Sequence, residues 1–180
     1  MKHLILGGAR SGKSQFAEKQ AQESDQDVIC IVTAQAKDDE MAERIRLHRE
    51  RRPIHWQLIE EPILLATTLK AHAAPERCLL IDCLSLWLSN LLHANENGQG
   101  PLADTILIRE RQALLTTLPH LAGRIILVSN EVGMGIVPVG ELSRRFCDEI
   151  GRLHQDLARM CDTVTFMVAG LPLSIKGKST

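Results

Sequence analysis

The sequence predicts an α/β protein built on a mainly parallel sheet that is covered by helices on both faces. Short apolar runs alternate along the 180 residues with longer segments of helical character. This alternation is typical of strand–helix–strand units, whose strands run parallel. A glycine-rich turn directly follows the first run, and an acidic residue ends a later one. Thr33-Ala34-Gln35 ends the second run at a strand's C-terminal edge, which is where open α/β sheets place their ligands.

Five apolar runs predict buried strands, because each is short and is followed by polar or turn-forming residues. In chain order they are residues 3–6, 28–32, 78–82, 124–129 and 163–169. The second run is Val-Ile-Cys-Ile-Val, whose β-branched residues suit a strand that is buried on both faces. A short segment around Trp56 is not assigned to either class.

Six segments predict helices from their spacing of apolar residues. In chain order they are residues 14–19, 38–51, 62–72, 84–93, 102–118 and 141–160. Asp38 or Asp39 suits the start of the second segment, and Pro53 stops it. Pro62 opens the third segment. The polar, glycine-containing stretches 95–101 and 130–140 are expected to be loops.

Length and composition predict one domain over residues 1–180 with a sizeable core. The net charge of −1 gives no electrostatic reason to expect a nucleic-acid or membrane partner. No segment has the length of a secretory leader's apolar region or of a membrane span. The five cysteines are an odd number without a C-x-x-C pair, and four lie in or beside apolar segments. Buried thiols in a reducing cytoplasm are therefore expected.

The strongest motif is the glycine-rich stretch between the first strand and the first helix. It reads Gly7-Gly8-Ala9-Arg10-Ser11-Gly12-Lys13-Ser14, the G-x-x-x-x-G-K-[ST] pattern of a P-loop. Its glycines let backbone N–H groups close around phosphate oxygens at a helix N-terminus. Lys13 can reach the β- and γ-phosphates, and the Ser14 hydroxyl can ligate Mg²⁺. The motif predicts a nucleoside triphosphate site.

Asp82 is the second residue that indicates chemistry. It ends an apolar strand far along the chain from the P-loop, as does the acid that holds Mg²⁺ in P-loop enzymes. The alternative is that Asp82 caps the helix that begins near Leu84. The P-loop favours the metal role.

The charged segment 38–51 combines arginines with a histidine. Met41, Ile45 and His48 share one helical face, and five arginines lie within nine residues from Arg44. A solvated helix with i,i+4 ion pairs is the ordinary explanation. Beside a triphosphate site, however, arginines stabilise phosphate charge and a neutral imidazole can attack phosphorus.

Together these motifs resemble the family of bifunctional adenosylcobinamide kinases/adenosylcobinamide-phosphate guanylyltransferases. The resemblance rests on the P-loop, on 38–56 with Arg44, His48 and Arg52-Pro53, on Asn130–Pro138, and on Ala169–Leu173. It implies a RecA-like P-loop fold, commonly assembled as a homotrimer. It also implies two reactions: ATP or GTP phosphorylates adenosylcobinamide, and GTP then donates GMP to adenosylcobinamide-phosphate.

The resemblance further implies site residues. Its guanylyl carrier is a histidine, and only His48 matches that position here. The residues expected to line the nucleotide site, besides the P-loop and Asp82, are Thr33, Ala34, Gln35, Arg49, Glu50, Arg51, Arg52 and Glu60. Glu60 could accept hydrogen bonds from the guanine edge or could be a surface glutamate. For Glu131, subunit contact, corrinoid contact and helix support all stay open.

Three other functions compete with this reading. A signalling GTPase would carry an Asn-Lys-x-Asp motif, and no lysine here follows an asparagine. A degenerate binding subunit is disfavoured because Lys13, Ser14 and Asp82 are intact. A monofunctional small-molecule kinase would use the same P-loop and Mg²⁺, and only a stable protein–GMP bond separates it from the bifunctional enzyme.

Overall fold

Seven strands form one sheet in the computed structural model, which describes residues 1–35, 43, 46, 52–94 and 103–177. The strands are β1 (Lys2–Gly7), β2 (Asp27–Val32), β3 (Gln57–Glu60), β4 (Arg77–Asp82), β5 (Arg124–Asn130), β6 (Thr163–Val168) and β7 (Leu171–Lys176). Their order across the sheet is β3-β2-β4-β5-β1-β6-β7. Six strands are parallel, and β7 pairs antiparallel with β6.

Five α-helices connect these strands within the described residues. They are α1 (Lys13–Gln22), α2 (Leu65–His72), α3 (Leu84–His93), α4 (Ala103–Thr117), which a short 3₁₀ turn (Leu118–His120) extends, and α5 (Glu141–Met160). In the predicted helix 38–51, the two described residues, Glu43 and Arg46, are helical and form an ion pair of 2.6 Å. The remaining positions of that segment, including Asp38 and Asp39, lie outside the described residues.

The two faces of the sheet are covered unequally. One face packs against α2, α3, α4 and α5 around Trp87, which is fully buried. The other face packs against α1, whose Ala17 and Ala21 lie directly on the sheet. Burying one large apolar side chain stabilises the fold by about 1.5–3 kcal/mol, so the first and larger cluster dominates the core. The predicted α/β class with helices on both faces is confirmed.

The five predicted strands and the helices after Pro62 all form, with ends shifted by a few residues. Two strands were not predicted. β3 has only four residues and is half-exposed, and β7 is exposed along its whole length. The predicted buried thiols are confirmed for Cys30, Cys78, Cys83 and Cys161, and all five cysteines are free. None of the helices in the described part of the chain could cross a membrane.

One edge of the sheet collects the polar ends of the parallel strands. β1, β2, β4 and β5 all run the same way and end in Gly7, Val32, Asp82 and Asn130. Because β5 lies between β1 and β4, its last residues emerge between the P-loop and Asp82. This edge is where a ligand of an open parallel sheet is expected.

Candidate active site

The P-loop joins the last residue of β1 to the first residue of α1, and its glycines are required by its shape. Gly7 has φ +154°, and a Cβ there would lie 2.6 Å from the carbonyl oxygen of Met167. Gly12 has φ +93°, and a Cβ there would lie 3.2 Å from Cα of Gly170. The Gly170 N–H donates to the Ser11 carbonyl at 3.0 Å. The turn between β6 and β7 therefore holds the P-loop closely, and larger residues would strain it.

Lys13 folds back across this loop. Its Nζ donates to the Gly8 carbonyl at 2.6 Å, and its side chain is buried. Burial lowers the pKa of Lys13, an effect that nearby Cys83 and Asp82 oppose. The ammonium thus lies inside the loop and faces the carboxylate at the end of β4, where it can meet an anion that enters the loop.

Asp82 is paired with Arg52 rather than used as a helix cap. The Arg52 guanidinium donates to Asp82 Oδ2 at 2.8 Å, and its Nε lies 3.6 Å from Glu18 Oε1 on α1. The Arg52 side chain is only 6% exposed. Cys83, not Asp82, is the N-cap residue of α3, and no side chain caps that terminus. The alternative in which Asp82 caps this helix is therefore wrong.

The oxygen atoms of Ser14 and Asp82 suit Mg²⁺, which prefers hydroxyl, carboxylate and phosphate oxygens. Ser14 is the second residue of α1, and Asp82 lies close enough to Lys13 to affect its pKa. Within the described ranges, no three His, Cys, Asp or Glu side chains cluster as a metal site. A cation here would be held by one or two protein ligands together with nucleotide phosphates, which is the usual arrangement for Mg²⁺.

Thr33 ties the end of β2 to the end of β4. It is fully buried, donates to the Cys83 carbonyl at 2.7 Å and accepts from the Cys83 N–H at 3.1 Å. Asn90 of α3 donates to the Thr33 carbonyl at 2.7 Å. Ala34 and Gln35 are progressively more exposed. The Thr33 hydroxyl is thus engaged with the protein, while the two following residues face the edge where a ligand would bind.

A cavity of about 590 Å³ opens beside β2 and β3. Its lining includes Arg52, Trp56, Glu60 and the buried Cys30. Burial raises the pKa of Cys30 to about 12, so its thiol stays protonated. Glu60, the last residue of β3, is exposed and pairs in register with Val32, which in turn pairs with Asp82. The cavity therefore combines an aromatic side chain, a guanidinium and a carboxylate on the face of the sheet that α1 covers.

A second polar chain lies at the end of β5, on the opposite face. The Glu131 N–H donates to the Gly7 carbonyl at 2.9 Å. Its Oε1 accepts from the Gly133 N–H at 2.6 Å, and its Oε2 lies 3.6 Å from Nδ1 of His154 on α5. His154 Nε2 is 2.8 Å from Ser129 Oγ. Burial lowers the pKa of His154, while the Glu131 charge raises it. Of the roles left open for Glu131, helix support is the one for which the described residues include a neighbouring side chain, His154 on α5.

A family model described as cobinamide kinase / cobinamide phosphate guanyltransferase matches residues 3–175. This chain belongs to that family. A relative from Pseudomonas aeruginosa, the bifunctional adenosylcobalamin biosynthesis protein CobP, is 57% identical over 99% of both chains. The bifunctional adenosylcobalamin biosynthesis proteins CobU of Salmonella typhimurium and Escherichia coli K12 are 40% and 38% identical, over 96% of this chain and 98% of theirs.

Solved structures share the fold at low identity. The ATPase EscN of the enteropathogenic E. coli type III secretion system, solved with its central stalk EscO, has a TM-score of 0.55 and 14% identity over 92% of this chain. The match spans 41% of that longer chain. A Pyrococcus horikoshii protein, PH0250, has a TM-score of 0.54 and 8% identity, covering 99% of this chain and 87% of its own. This chain has a RecA-like P-loop fold, as the family resemblance implied.

The structure brings together only part of the predicted nucleotide site. The P-loop, Asp82 and Arg52 lie within one cluster, and Glu60 lines the adjacent cavity. Ala9 and Arg10 are exposed on the loop. The predicted residues His48, Arg49, Glu50 and Arg51 lie outside the described residues.

Sequence reasoning did not single out three buried polar residues near this edge. Ser85 Oγ contacts Cys83 Sγ at 3.0 Å and Asn130 Nδ2 at 3.1 Å, Asn90 binds β2, and His154 contacts β5. Ser85 and Asn90 are polar residues on the buried side of the mainly apolar helix α3, which was a usable signal because buried polar groups need partners. Their partners lie far along the chain and could not be read from it.

Proposed function

We propose that this chain phosphorylates adenosylcobinamide and then transfers GMP to the phosphate so formed, both at the C-terminal edge of its sheet. The observation that carries the proposal is an intact P-loop, with Lys13 inside it, in a chain that matches the cobinamide kinase / cobinamide phosphate guanyltransferase family over residues 3–175. Both reactions consume a nucleoside triphosphate, so one phosphate-binding loop can serve both. The product is adenosylcobinamide-GDP.

The triphosphate binds along the P-loop and the N-terminus of α1. Backbone N–H groups of Gly8 to Ser14 face the phosphate oxygens, and Lys13 exchanges the Gly8 carbonyl for a β- or γ-phosphate oxygen. That exchange replaces a neutral acceptor by a charged one, which makes a stronger bond. Ser14 and Asp82 would hold Mg²⁺, which supplies charge neutralisation at the phosphates.

The base of GTP binds, in this proposal, in the cavity lined by Arg52, Trp56 and Glu60. The cavity volume of about 590 Å³ is in the range of small-molecule sites. A Glu60 carboxylate accepts from the N–H groups of a guanine edge, which adenine does not offer in that pattern. Arg49, Glu50 and Arg51 would complete this part of the site. The kinase step can draw on ATP or GTP, since γ-phosphoryl transfer needs only the phosphates in the loop.

His48 is the proposed guanylyl carrier. A neutral imidazole nitrogen attacks the α-phosphorus of GTP, the bond to the bridging oxygen breaks, and pyrophosphate leaves with the electron pair. The phosphate of adenosylcobinamide-phosphate then attacks the resulting phosphoramidate and releases His48. Arginines of the 44–52 stretch offset the charge that develops on the phosphates.

Labelled GTP tests this function and separates it from a monofunctional kinase. GTP labelled at the α-phosphate should label the protein through a bond that is labile in acid and stable in base, and γ-labelled GTP should not. His48→Ala should lose the label and the transferase activity while it keeps kinase activity. His55→Ala, an exposed histidine on the same segment, is the matched control. Label that persists in His48→Ala would overturn the assignment.

The same family resemblance supports a homo-oligomer, commonly a trimer. Two apolar surfaces of the chain are exposed: Leu171, Leu173 and Ile175 on β7, and Met134, Ile136 and Val139 in the loop before α5. Exposed apolar patches of this kind mark association surfaces. The single continuous sheet supports one domain over residues 1–180, and the buried free thiols suit the cytoplasm.

A further inference from the structure

Glu131 leaves the sheet directly beside the P-loop. Asn130, the last residue of β5, pairs in register with Gly7, and the Glu131 N–H donates to the Gly7 carbonyl. The next strand on the other side of β5 is β4, which ends in Asp82. Two backbone anchors therefore fix Glu131 between the loop that receives phosphates and the acid at the end of β4.

The carboxylate of Glu131 is oriented but still open. Oε1 accepts from the Gly133 N–H at 2.6 Å, and Oε2 lies 3.6 Å from His154 Nδ1, which is beyond a hydrogen bond. An ionised carboxylate has about four lone-pair positions, so these contacts leave it able to accept another proton donor. Its side chain is 22% exposed, so a substrate hydroxyl can reach it.

His154 lies next to this carboxylate, with its Nδ1 3.6 Å from Glu131 Oε2. It is buried in α5, and its Nε2 is fixed by Ser129 Oγ at 2.8 Å. Burial lowers the pKa of His154, which favours a neutral ring that adds no competing positive charge. Its Nδ1 has no hydrogen-bond partner within the described part of the chain and lies 3.6 Å from Glu131 Oε2. The His154 ring can therefore form a hydrogen bond to the Glu131 carboxylate through Nδ1 while Nε2 keeps its contact with Ser129 Oγ.

The other carboxylates described near this edge are engaged differently. Asp82 and Glu18 both face the Arg52 guanidinium. Glu60 ends β3, which is separated from β1 by β2, β4 and β5. Glu131 differs from these carboxylates in two ways. Its backbone N–H binds the Gly7 carbonyl, and its side chain has no arginine partner in the described residues.

Only one of the two proposed reactions needs a proton acceptor. The hydroxyl that attacks in the kinase step carries a proton at neutral pH. The imidazole and the phosphate monoester that attack in guanylyl transfer both offer an unprotonated atom near pH 7, because their pKa values lie close to 6. A base for the kinase step can therefore be lost without loss of guanylyl transfer.

We propose that Glu131 is the catalytic base of the kinase reaction, with His154 as its positioning residue; this rests on the proposed function. The hydroxyl oxygen attacks the γ-phosphorus while its proton passes to the Glu131 carboxylate. The bond between the γ-phosphorus and the β–γ bridging oxygen breaks, and the nucleoside diphosphate leaves with the electron pair. The carboxylic acid then releases its proton to water.

Glu131→Gln tests this role, since it keeps the size and the Gly133 contact but cannot accept the proton. Kinase kcat should fall by about 100-fold or more, the usual contribution of a general base, with little change in the KM for either substrate. Covalent labelling from α-labelled GTP, and GMP transfer to supplied adenosylcobinamide-phosphate, should stay near the wild-type rates. Glu131→Asp should recover part of the kinase rate.

His154→Gln should lower the kinase rate less than Glu131→Gln, with the same retention of GMP transfer. Glu76→Gln, an exposed glutamate at the opposite edge of the sheet, is the matched control and should leave both rates unchanged. A kinase rate in Glu131→Gln near that of wild type would overturn the proposal. So would a parallel loss of both half-reactions, which would mean that Glu131 only supports the fold. If wild-type protein is not labelled by α-labelled GTP, the assignment of His48 as guanylyl carrier is contradicted. The kinase rates of wild type and Glu131→Gln can still be compared in that case.

Discussion

Lys13 is buried, but its proposed role is to bind phosphate rather than to stabilise the core. Its polar contact is the Gly8 carbonyl of the loop itself, so Lys13→Ala removes one local hydrogen bond, worth about 1 kcal/mol. Both half-reactions should nevertheless be abolished, because both need the phosphate charge balanced at this point. Rates of the kinase and transferase steps, with a melting curve as control, measure the effect.

Lys19→Ala provides the comparison for that substitution. Lys19 lies on the same helix, is exposed and, among the described residues, forms its ion pair with Glu23 at 3.7 Å, so its loss should leave both rates unchanged. A near-normal rate of either reaction in Lys13→Ala would show that the P-loop is not the shared phosphate site.

At the scale of single residues, the sequence predicted what depends on local pattern. The P-loop needs only its own spacing, and Asp82 is visible as an acid after an apolar run. The ion pair of Asp82 with Arg52 could not be predicted, since Arg52 lies 30 positions away along the chain. Arg52 was expected only to contact the nucleotide. Thr33 was expected at the nucleotide, but its hydroxyl joins Cys83, a residue 50 positions further on. Such contacts are decided by the order of the strands.

At the scale of elements, the edge strands were the ones that sequence reasoning missed. β3 follows Trp56 with four residues, too few for a clear alternation. β7 does alternate at Leu171, Leu173 and Ile175 after the turn at Gly170, so its signal was present. Pro172 weakens that signal, because proline has no N–H to donate to a neighbouring strand and is therefore rare in central strands. Proline is compatible with an edge strand, which is the position of β7.

β7 also supports an expectation about assembly. Leu173→Glu places a charge among the exposed apolar side chains of this edge strand, so it should shift the protein from the proposed oligomer towards monomer. Sedimentation at several protein concentrations measures this. Ile108→Glu alters an equally exposed apolar residue on α4 and should leave assembly unchanged. The same oligomer in both variants would place the interface elsewhere.

At the scale of the whole molecule, a buried histidine makes stability depend on pH. His3 lies in β1, an interior strand of the sheet, with Nε2 2.8 Å from Thr165 Oγ1 and with no hydrogen-bond partner for Nδ1 among the described residues. Burial, with a smaller contribution from Arg124, lowers the pKa of His3 from 6.5 to about 4. Between these values the unfolded chain binds more protons than the folded one, so stability decreases as the pH falls through this window.

His3→Gln should reduce this pH dependence. For one such group, the free energy of unfolding changes by up to about 1.4 kcal/mol per pH unit. Between about pH 6.5 and 5, the wild type should therefore lose roughly 2 kcal/mol more of its free energy of unfolding than the variant. Urea denaturation at the two pH values gives the free energies of unfolding. The variant will be less stable overall, but the difference between the two pH values is the test. Equal differences in both proteins would contradict a neutral buried His3.

The sheet order is the property of the whole molecule that the sequence could not supply. The alternation of elements predicts parallel strands but not that β5 lies between β1 and β4. That placement brings Glu131 beside Gly7, and it could be known only once the non-local pairings were seen. The position of the P-loop between the first strand and the first helix was therefore predictable, whereas the identity of its neighbours was not.

The ion pair between Arg52 and Asp82 bears on the order in which substrates enter. A divalent cation that arrives alone must displace the nearly buried Arg52 guanidinium from Asp82. Of the two described ion-pair partners of Arg52, Glu18 then remains. A cation already carried by a triphosphate brings its own oxygens, and the released guanidinium can turn to them. Charge is then balanced throughout the exchange. If Asp82 holds the cation as proposed, this ion pair favours binding of the metal–nucleotide complex over binding of the bare cation.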